Sequence, residues 1–229
     1  MTADAVVRTA KSDSKVMLVD DHPIVRQGLA ALINSTEGLT VCGEASTARE
    51  AMELIKTTSP DVVIVDISLE DRSGVELIKD IVEVRPHLPC LALSMYDEGM
   101  YAMRVLRAGG RGYIMKQEVS KKVLGAIRQV LDGHVYLSEK MSTQLVDQMI
   151  QTPAGDKPVA SELSDLELEV LMLIGRGQST RQIAETLFRS VKAVEAHRER
   201  IKEKLNLKNA AELLRYAVGI TQDRQINKS

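Results

Sequence analysis

With 229 residues, the chain is long enough for two domains, and 44% apolar with 27% charged residues is the balance of an ordinary globular protein. One Phe and no Trp leave no aromatic platforms on which single-stranded nucleic acid would stack. The net charge of -2 conceals a division, since residues 1–160 carry 18 Lys and Arg against 22 Asp and Glu while residues 161–229 carry 12 against 10, the direction expected of an acidic part followed by one that meets nucleic acid.

The first half alternates between two periodicities. "KVMLV" (15–19) reads as a strand, and Val25, Leu29, Leu32 and Ile33 then recur at helical spacing after Pro23, a residue suited to a first helical turn. "LTVCGEA" (39–45) is a second strand, followed by a helix over about 47–58. "DVVIVD" (61–66) is apolar until its last residue, the mark of a strand covered on both faces in a parallel sheet. A helix over 74–84, a strand over 90–94, a helix over 97–108, a strand over 112–115 and a helix near 118–132 complete five βα units. Short links between such units predict a doubly wound α/β domain over residues 14–133. Cys42 and Cys90 lie in or beside apolar runs without metal-ligand spacing and read as buried reduced thiols. No apolar run reaches transmembrane length, and the N-terminus lacks the core of a signal peptide, so a cytoplasmic location is expected.

Residues 134–160 change character. A short amphipathic piece (about 138–150) leads into "QTPAGDKPVASE", whose prolines, glycine and small polar residues read as a linker. Beyond it the strands vanish. Ser164 with Glu167 three residues on forms a capping box at the start of a helix, "GRGQST" breaks that helix, and Ser179 and Ser190 cap a second and a third. "NAAELLRYAVGI" supplies a fourth. Four short helices with tight breaks before the second and third predict an all-α helix-turn-helix unit over residues 161–229.

Ligands of open α/β sheets bind beyond the carboxyl ends of the strands. Those ends carry Asp20 and Asp21, Asp66, Ser94 and Lys116, the last three residues after Tyr113. Three carboxylates in one pocket repel unless a cation joins them, and hard oxygen ligands on a partly hydrated site suit Mg²⁺. Such an ion keeps Asp66 anionic as a nucleophile toward a phosphoryl donor. The acyl phosphate that results needs its new oxygens neutralised by the metal and Lys116 and hydrogen-bonded by Ser94. Alternatively, each acid caps the helix that follows it. Asp20–Asp21 alone does not decide between these, but the five positions in order favour a shared site. His22 reads as a helix-start or surface residue, and His87, His134 and His197 have no partners at ligand spacing.

The pattern of Asp20–Asp21, Asp66, Ser94, Tyr113 and Lys116 resembles the receiver domain of two-component response regulators. The resemblance implies a flavodoxin-like sheet, with Asp66 as phosphoacceptor. It implies Mg²⁺ held directly by Asp21, Asp66 and the backbone carbonyl of Ser68, with Asp20 acting through a water. Ser94 and Tyr113 become the pair that reorients on phosphorylation. Ser68 and Tyr96 occupy the positions that tune phosphate lifetime. Two departures from the usual pattern are Leu69-Glu70 after the site and Gln117 after the lysine, neither of which removes a chemical group.

In the third C-terminal helix, Val191, Val194, Ile201 and Leu205 are expected on a buried stripe, and Lys192, Glu195, Ala196, Arg198, Glu199 and Lys202 on the opposite face. Residues 191–208 hold six Lys and Arg against three Glu. A recognition helix presents such residues to the major groove and to phosphates, with helix N-terminal amides near Ser179 and Ser190 adding phosphate contacts. The run with Gly177, Ser179, Ile183, Ala184, Leu187, Ser190, Lys192, Val194 and His197 resembles the LuxR-type helix-turn-helix. With the receiver, it is similar to a full-length response regulator of the NarL/FixJ class. Ser179, Arg181, Ser190, Lys192, Glu195, Ala196, Arg198, Glu199 and Lys202 are the residues expected at DNA. Some relatives carry lysine where this chain has Glu195, whose carboxylate accepts from cytosine N4, so the sequence read is expected to differ.

The expectation is a transcription factor that accepts phosphate on Asp66 from a histidine kinase, dimerises and binds double-stranded DNA, with no enzymatic role beyond phosphoryl acceptance and slow self-dephosphorylation. Two rivals remain. A phosphatase working through an aspartyl phosphate lacks an evident second acid–base group beside Asp66 and leaves the helical unit without purpose. A DNA-binding regulator controlled by a ligand or partner would tolerate loss of an acid-site residue, and none is lost.

Overall fold

The computed structural model describes residues 13–96, 98–143, 145, 163–187 and 189–222, without the side chains of residues 100 and 222. The chain divides into two compact units, one ending at Asp147 and the other beginning at Gln148.

The first unit is a five-stranded parallel sheet. Its elements in chain order are β1 (Ser14–Val19), α1 (Pro23–Asn34), β2 (Leu39–Ala45), α2 (Ala48–Thr58), β3 (Val62–Asp66), α3 (Gly74–Val84), β4 (Cys90–Ser94), α4 (Glu98–Arg107), β5 (Gly112–Met115) and α5 (Val119–Leu131). Strand order is β2-β1-β3-β4-β5, which places the reversal of winding between β1 and β3. Every residue of β3 and β4 is buried, as their unbroken apolar runs require. Val16, Leu18, Ile64, Leu91 and Leu93 meet Leu29 and Ile33 of α1 and Val123, Ile127 and Val130 of α5 in the core on one face. Leu77, Ile78 and Ile81 of α3 are buried outside that cluster.

Residues 134–138, which the sequence assigns to the linker, lie along the outer edge of β5. Tyr136 accepts the Tyr113 N–H at 3.1 Å and donates its own to Arg111 at 2.8 Å. Glu98, buried in the first turn of α4, accepts the Ser138 N–H at 2.8 Å. Residues 139–143 are helical. Most of the remaining linker, including "QTPAGDKPVA", lies outside the described residues.

The second unit holds α6 (Asp165–Gly175), α7 (Thr180–Thr186), α8 (Val191–Lys204) and α9 (Ala210–Gln222). Ser164, Ser179 and Ser190 cap the first three, each side chain accepting a backbone N–H, and both Ser164–Glu167 and Ser179–Gln182 close capping boxes. α8 packs on α6 and α7 through Val194 and Ile201, both fully buried. Val191 departs from the expected stripe and is 44% exposed. It is the first residue of α8, ahead of the buried Val194, and is only partly covered.

Candidate functional site

Register assembles the acid site. Val19 pairs with Val65, so Asp20 and Asp66 stand one step beyond, side by side at the reversal point. Ser94 pairs with Met115, which puts Lys116 one step past the neighbouring strand. Its ammonium reaches both acids, at 2.7 Å from Asp20 Oδ2 and 2.7 Å from Asp66 Oδ2. Asp20, Asp66 and Lys116 have nearly no exposed side-chain surface. The Arg26 guanidinium steadies the turn after β1 by donating to the Asp20 carbonyl at 2.5 Å.

The loop after β3 closes over the same point. Ser68 N–H donates to Asp66 Oδ1 at 3.2 Å, Ser68 and Ser73 form an isolated bridge, and Gly74 N–H donates to Ile67 at 2.7 Å. A Cβ at Gly74 would stand 2.0 Å from the Asp66 carbonyl oxygen, so only glycine lets α3 start this close to the site.

Burial pushes the Asp66 carboxyl up to about 6, with Lys116 pulling it down and Asp20 pushing it up. Burial also opposes the charge on Lys116, but Asp66 and Asp20 outweigh it and hold the ammonium above the usual lysine value. Asp20, Asp21 and Asp66 bring three carboxyl groups to a site whose one buried ammonium is that of Lys116. The shortfall of positive charge, on oxygen donors converging at a sheet edge, fits a dication that binds carboxylates.

Ser94 and Tyr113 converge on the backbone of one residue, Tyr96. Ser94 is fully buried and its Oγ accepts the Tyr96 N–H at 3.0 Å, while the buried Tyr113 hydroxyl donates to the Tyr96 carbonyl at 2.9 Å. The Tyr96 ring stacks on Tyr101 of α4 at 5.1 Å between centroids. The expected switch pair is therefore tied together through the backbone of Tyr96.

Two contributors escape a reading of the sequence alone. His22 does start α1, as expected, but its Nδ1 also lies 2.6 Å from Asp21 Oδ1. Glu98 holds the segment after α5. Neither has a periodic signal, because each acts through a turn or a loop.

On the second unit, Lys192, Glu195, Ala196 and Glu199 are exposed along α8, with Arg198 and Lys202 half-buried beside them. Ser179 and Ser190 sit at helix starts as caps. Arg181 pairs with Glu185 at 3.2 Å and Lys202 with Glu199 at 2.8 Å, which tempers the charge they offer an anion. Beneath this surface, Glu167 of α6 accepts from Lys204 at 2.6 Å and from the Ser164 N–H at 2.7 Å. Burial opposes its charge, but those two partners hold its carboxyl below the usual value.

A parallel sheet wound in the order 2-1-3-4-5, with paired acids at its reversal point and a capped helix-turn-helix unit in the same chain, defines the class of phosphorylation-dependent regulators built from a receiver and a DNA-binding module. Comparison with known proteins agrees with it. The family model "Response regulator receiver domain" matches residues 16–128, and "Bacterial regulatory proteins, luxR family" matches residues 161–217. The chain belongs to the response-regulator family, with a LuxR-type C-terminal domain. It is 38% identical over 209 residues to the oxygen regulatory protein NreC of Staphylococcus carnosus, covering 89% of this chain and 96% of that one. The structure of RcsB from Salmonella enterica serovar Typhimurium bound to promoter rprA with phosphomimetic beryllofluoride matches at a TM-score of 0.58 and 27% identity, over 90% of this chain and 99% of that one. A structure of two RcsB dimers bound to two parallel DNAs matches at a TM-score of 0.55 and 26% identity, over 90% and 98%. Among the described residues, no helix is long and apolar enough to cross a membrane.

Proposed function

We propose that this response regulator takes a phosphoryl group on Asp66 and thereby controls its binding to double-stranded DNA as a dimer. The observation that carries the reading is the buried Asp20–Asp66–Lys116 cluster. It presents a nucleophilic carboxylate beside a cation that can neutralise the product. An Asp66 oxygen attacks phosphorus, the P–N bond of a phosphohistidine donor or the P–O bond of a small acyl phosphate breaks, and the leaving group departs with its electron pair. The phosphoaspartate oxygens then gain the Lys116 ammonium and the Ser94 hydroxyl as partners. Asp21, Asp66 and the Ser68 carbonyl would hold Mg²⁺, with Asp20 close by, and the ion would supply charge neutralisation at the phosphoryl group.

Ser94 and Tyr113 are the residues that relay the change. Turning the Ser94 hydroxyl toward the phosphate withdraws its hydrogen bond from the Tyr96 N–H, and the carbonyl of the same residue holds Tyr113. The start of α4 therefore moves with the switch. A histidine kinase is the proposed donor and the cytoplasm the proposed location. The exposed face of α8, with Lys192, Glu195, Ala196 and Glu199, would enter the major groove, and Ser179, Arg181, Ser190, Arg198 and Lys202 would meet bases or flanking phosphates. The DNA-bound RcsB dimers, and RcsB bound to a promoter with a phosphomimetic, support a DNA-binding dimer under phosphorylation control. No turnover is proposed beyond phosphoryl acceptance and slow self-dephosphorylation.

The test measures duplex binding and oligomeric state with and without beryllofluoride and Mg²⁺, for wild type and Asp66→Ala. Wild type is expected to dimerise and bind more tightly with the mimic, and Asp66→Ala to ignore it. A wild type indifferent to the mimic in both properties rejects phosphorylation control.

A further inference from the structure

The chain does not leave the sheet where α5 ends. Gly133, at φ +86°, turns it, and residues 134–138 run back beside β5 in the direction of that strand, toward the edge that carries Asp66. Both α5 and β5 hold the segment. Gln129 donates to the Val135 carbonyl at 2.7 Å, and the Tyr136 carbonyl accepts the Tyr113 N–H. The approach is close, since a Cβ at Gly112 would stand 2.9 Å from the Tyr136 carbonyl oxygen. At the far end Ser138 caps the helical residues 139–143, its Oγ accepting the Met141 N–H at 3.1 Å. In a capping box the third helical residue reaches back to the N–H of the cap itself. Here that residue is Met141, whose side chain is apolar, and Glu98 of α4 accepts the Ser138 N–H in its stead from 40 residues away.

Both ties rest on residues beside or within the switch. Tyr113, whose hydroxyl donates to the Tyr96 carbonyl, is the residue whose N–H meets Tyr136. Glu98 is buried and lies two residues after Tyr96. We propose that residues 134–138 are a strap that ties the linker to the unphosphorylated receiver, and that movement of the start of α4 on phosphorylation draws Glu98 away from Ser138 and frees it. This rests on the reading of Ser94 and Tyr113 as a phosphorylation switch. Without Glu98 the Ser138 N–H must find water, and the segment that leads in sequence to the DNA-binding unit is no longer held to the sheet. The strap thus gives the switch a mechanical output through the covalent chain.

Full-length wild type, Glu98→Ala and Glu98→Gln are compared with and without beryllofluoride and Mg²⁺, by amide hydrogen exchange at Tyr136 and Ser138 and by titration with one mixed-sequence duplex. In wild type the mimic is expected to speed exchange at both amides about fivefold or more. Glu98→Ala is expected to exchange fast with or without the mimic, and its two duplex affinities to agree within about twofold. Glu98→Gln keeps an acceptor oxygen and is expected to behave as wild type. Wild-type exchange at Ser138 that the mimic leaves unmoved, while duplex binding tightens, overturns the strap and leaves phosphorylation control standing, whatever the variants do. A Glu98→Ala that keeps the wild-type gain in duplex affinity also overturns it. So does a Glu98→Gln that behaves as Glu98→Ala, because charge and not the hydrogen bond would then carry the effect. A wild type indifferent to the mimic in both exchange and duplex binding fails the phosphorylation reading itself.

Discussion

At Asp66, burial and charge act against each other. Its folded-state value of about 6 lies above that of an exposed aspartate, so between about pH 4 and pH 6 the native state holds a proton that the unfolded chain has released. Stability from the protonated group is full below the unfolded value and is lost as pH rises through about 6. Asp66→Asn keeps the shape and abolishes the titration. A shift of two units, in which the opposing pull of Lys116 is already included, is worth roughly 3 kcal/mol. In urea unfolding without dications, Asp66→Asn should exceed wild type by about 2–3 kcal/mol at pH 7.5, with the gap closing below about pH 4. A variant less stable than wild type at pH 7.5 would mean that the Lys116 ion pair outweighs burial. Lys116 presents the opposite case. Lys116→Met leaves Asp20 and Asp66 buried without their common cation. Asp66 should then titrate above about 6, and phosphoryl acceptance from a small acyl phosphate should slow about 10²–10³-fold on phosphate-affinity gels.

At the scale of elements, two close contacts decide much of the architecture, and the sequence announced neither. α6 and α9 touch at Gly175, where a Cβ would come 2.4 Å from the Ala217 carbonyl oxygen and 2.7 Å from Thr221 Cγ2. Gly175→Ala must push α9 away, and it should cost the C-terminal unit about 2–4 kcal/mol in denaturant unfolding. The other contact is the return of residues 134–138 to β5, held by Glu98. Glu98→Ala removes the acceptor for Ser138 and should cost about 1 kcal/mol, seen as roughly fivefold faster amide exchange at Tyr136 and Ser138. Unchanged exchange would mean that the strand pairing at Tyr136 holds without Glu98. The acid site was legible because register carries it: apolar runs ending in Asp20, Asp66, Ser94 and Met115–Lys116 become neighbours once the strands are parallel. The return to β5 was not, since Val135–Leu137 is an apolar run of only three residues, too short to show either period. Val191 was misassigned because helical spacing says which face a residue occupies and not how far along the helix its neighbour extends. His22 was read as a helix start, correctly, but the turn that aims its ring cannot be seen in a residue type.

For the whole molecule, the two activities make separable demands, and salt separates them. Phosphorylation would act on assembly through Asp66, while the basic face of α8 would act on DNA phosphates wherever assembly stands. Affinity that depends on phosphate neutralisation falls with salt in proportion to the contacts made. Removing one such contact lowers the slope by about one per subunit and weakens all duplexes alike, whereas removing a base contact alters which sequence is preferred. Lys192 is exposed in the first turn of α8, and Glu195 is exposed one turn on. Lys192→Ala should therefore reduce the salt slope by about two for a bound dimer, by the same amount with and without beryllofluoride, in duplex titrations between about 50 and 200 mM salt. Glu195→Gln should leave that slope nearly unchanged and shift the preferred sequence at one position in each half-site. If the Lys192→Ala slope changed only in the presence of the mimic, α8 would be reaching DNA only in the phosphorylated state, and control would lie in access to the helix and not in dimer formation.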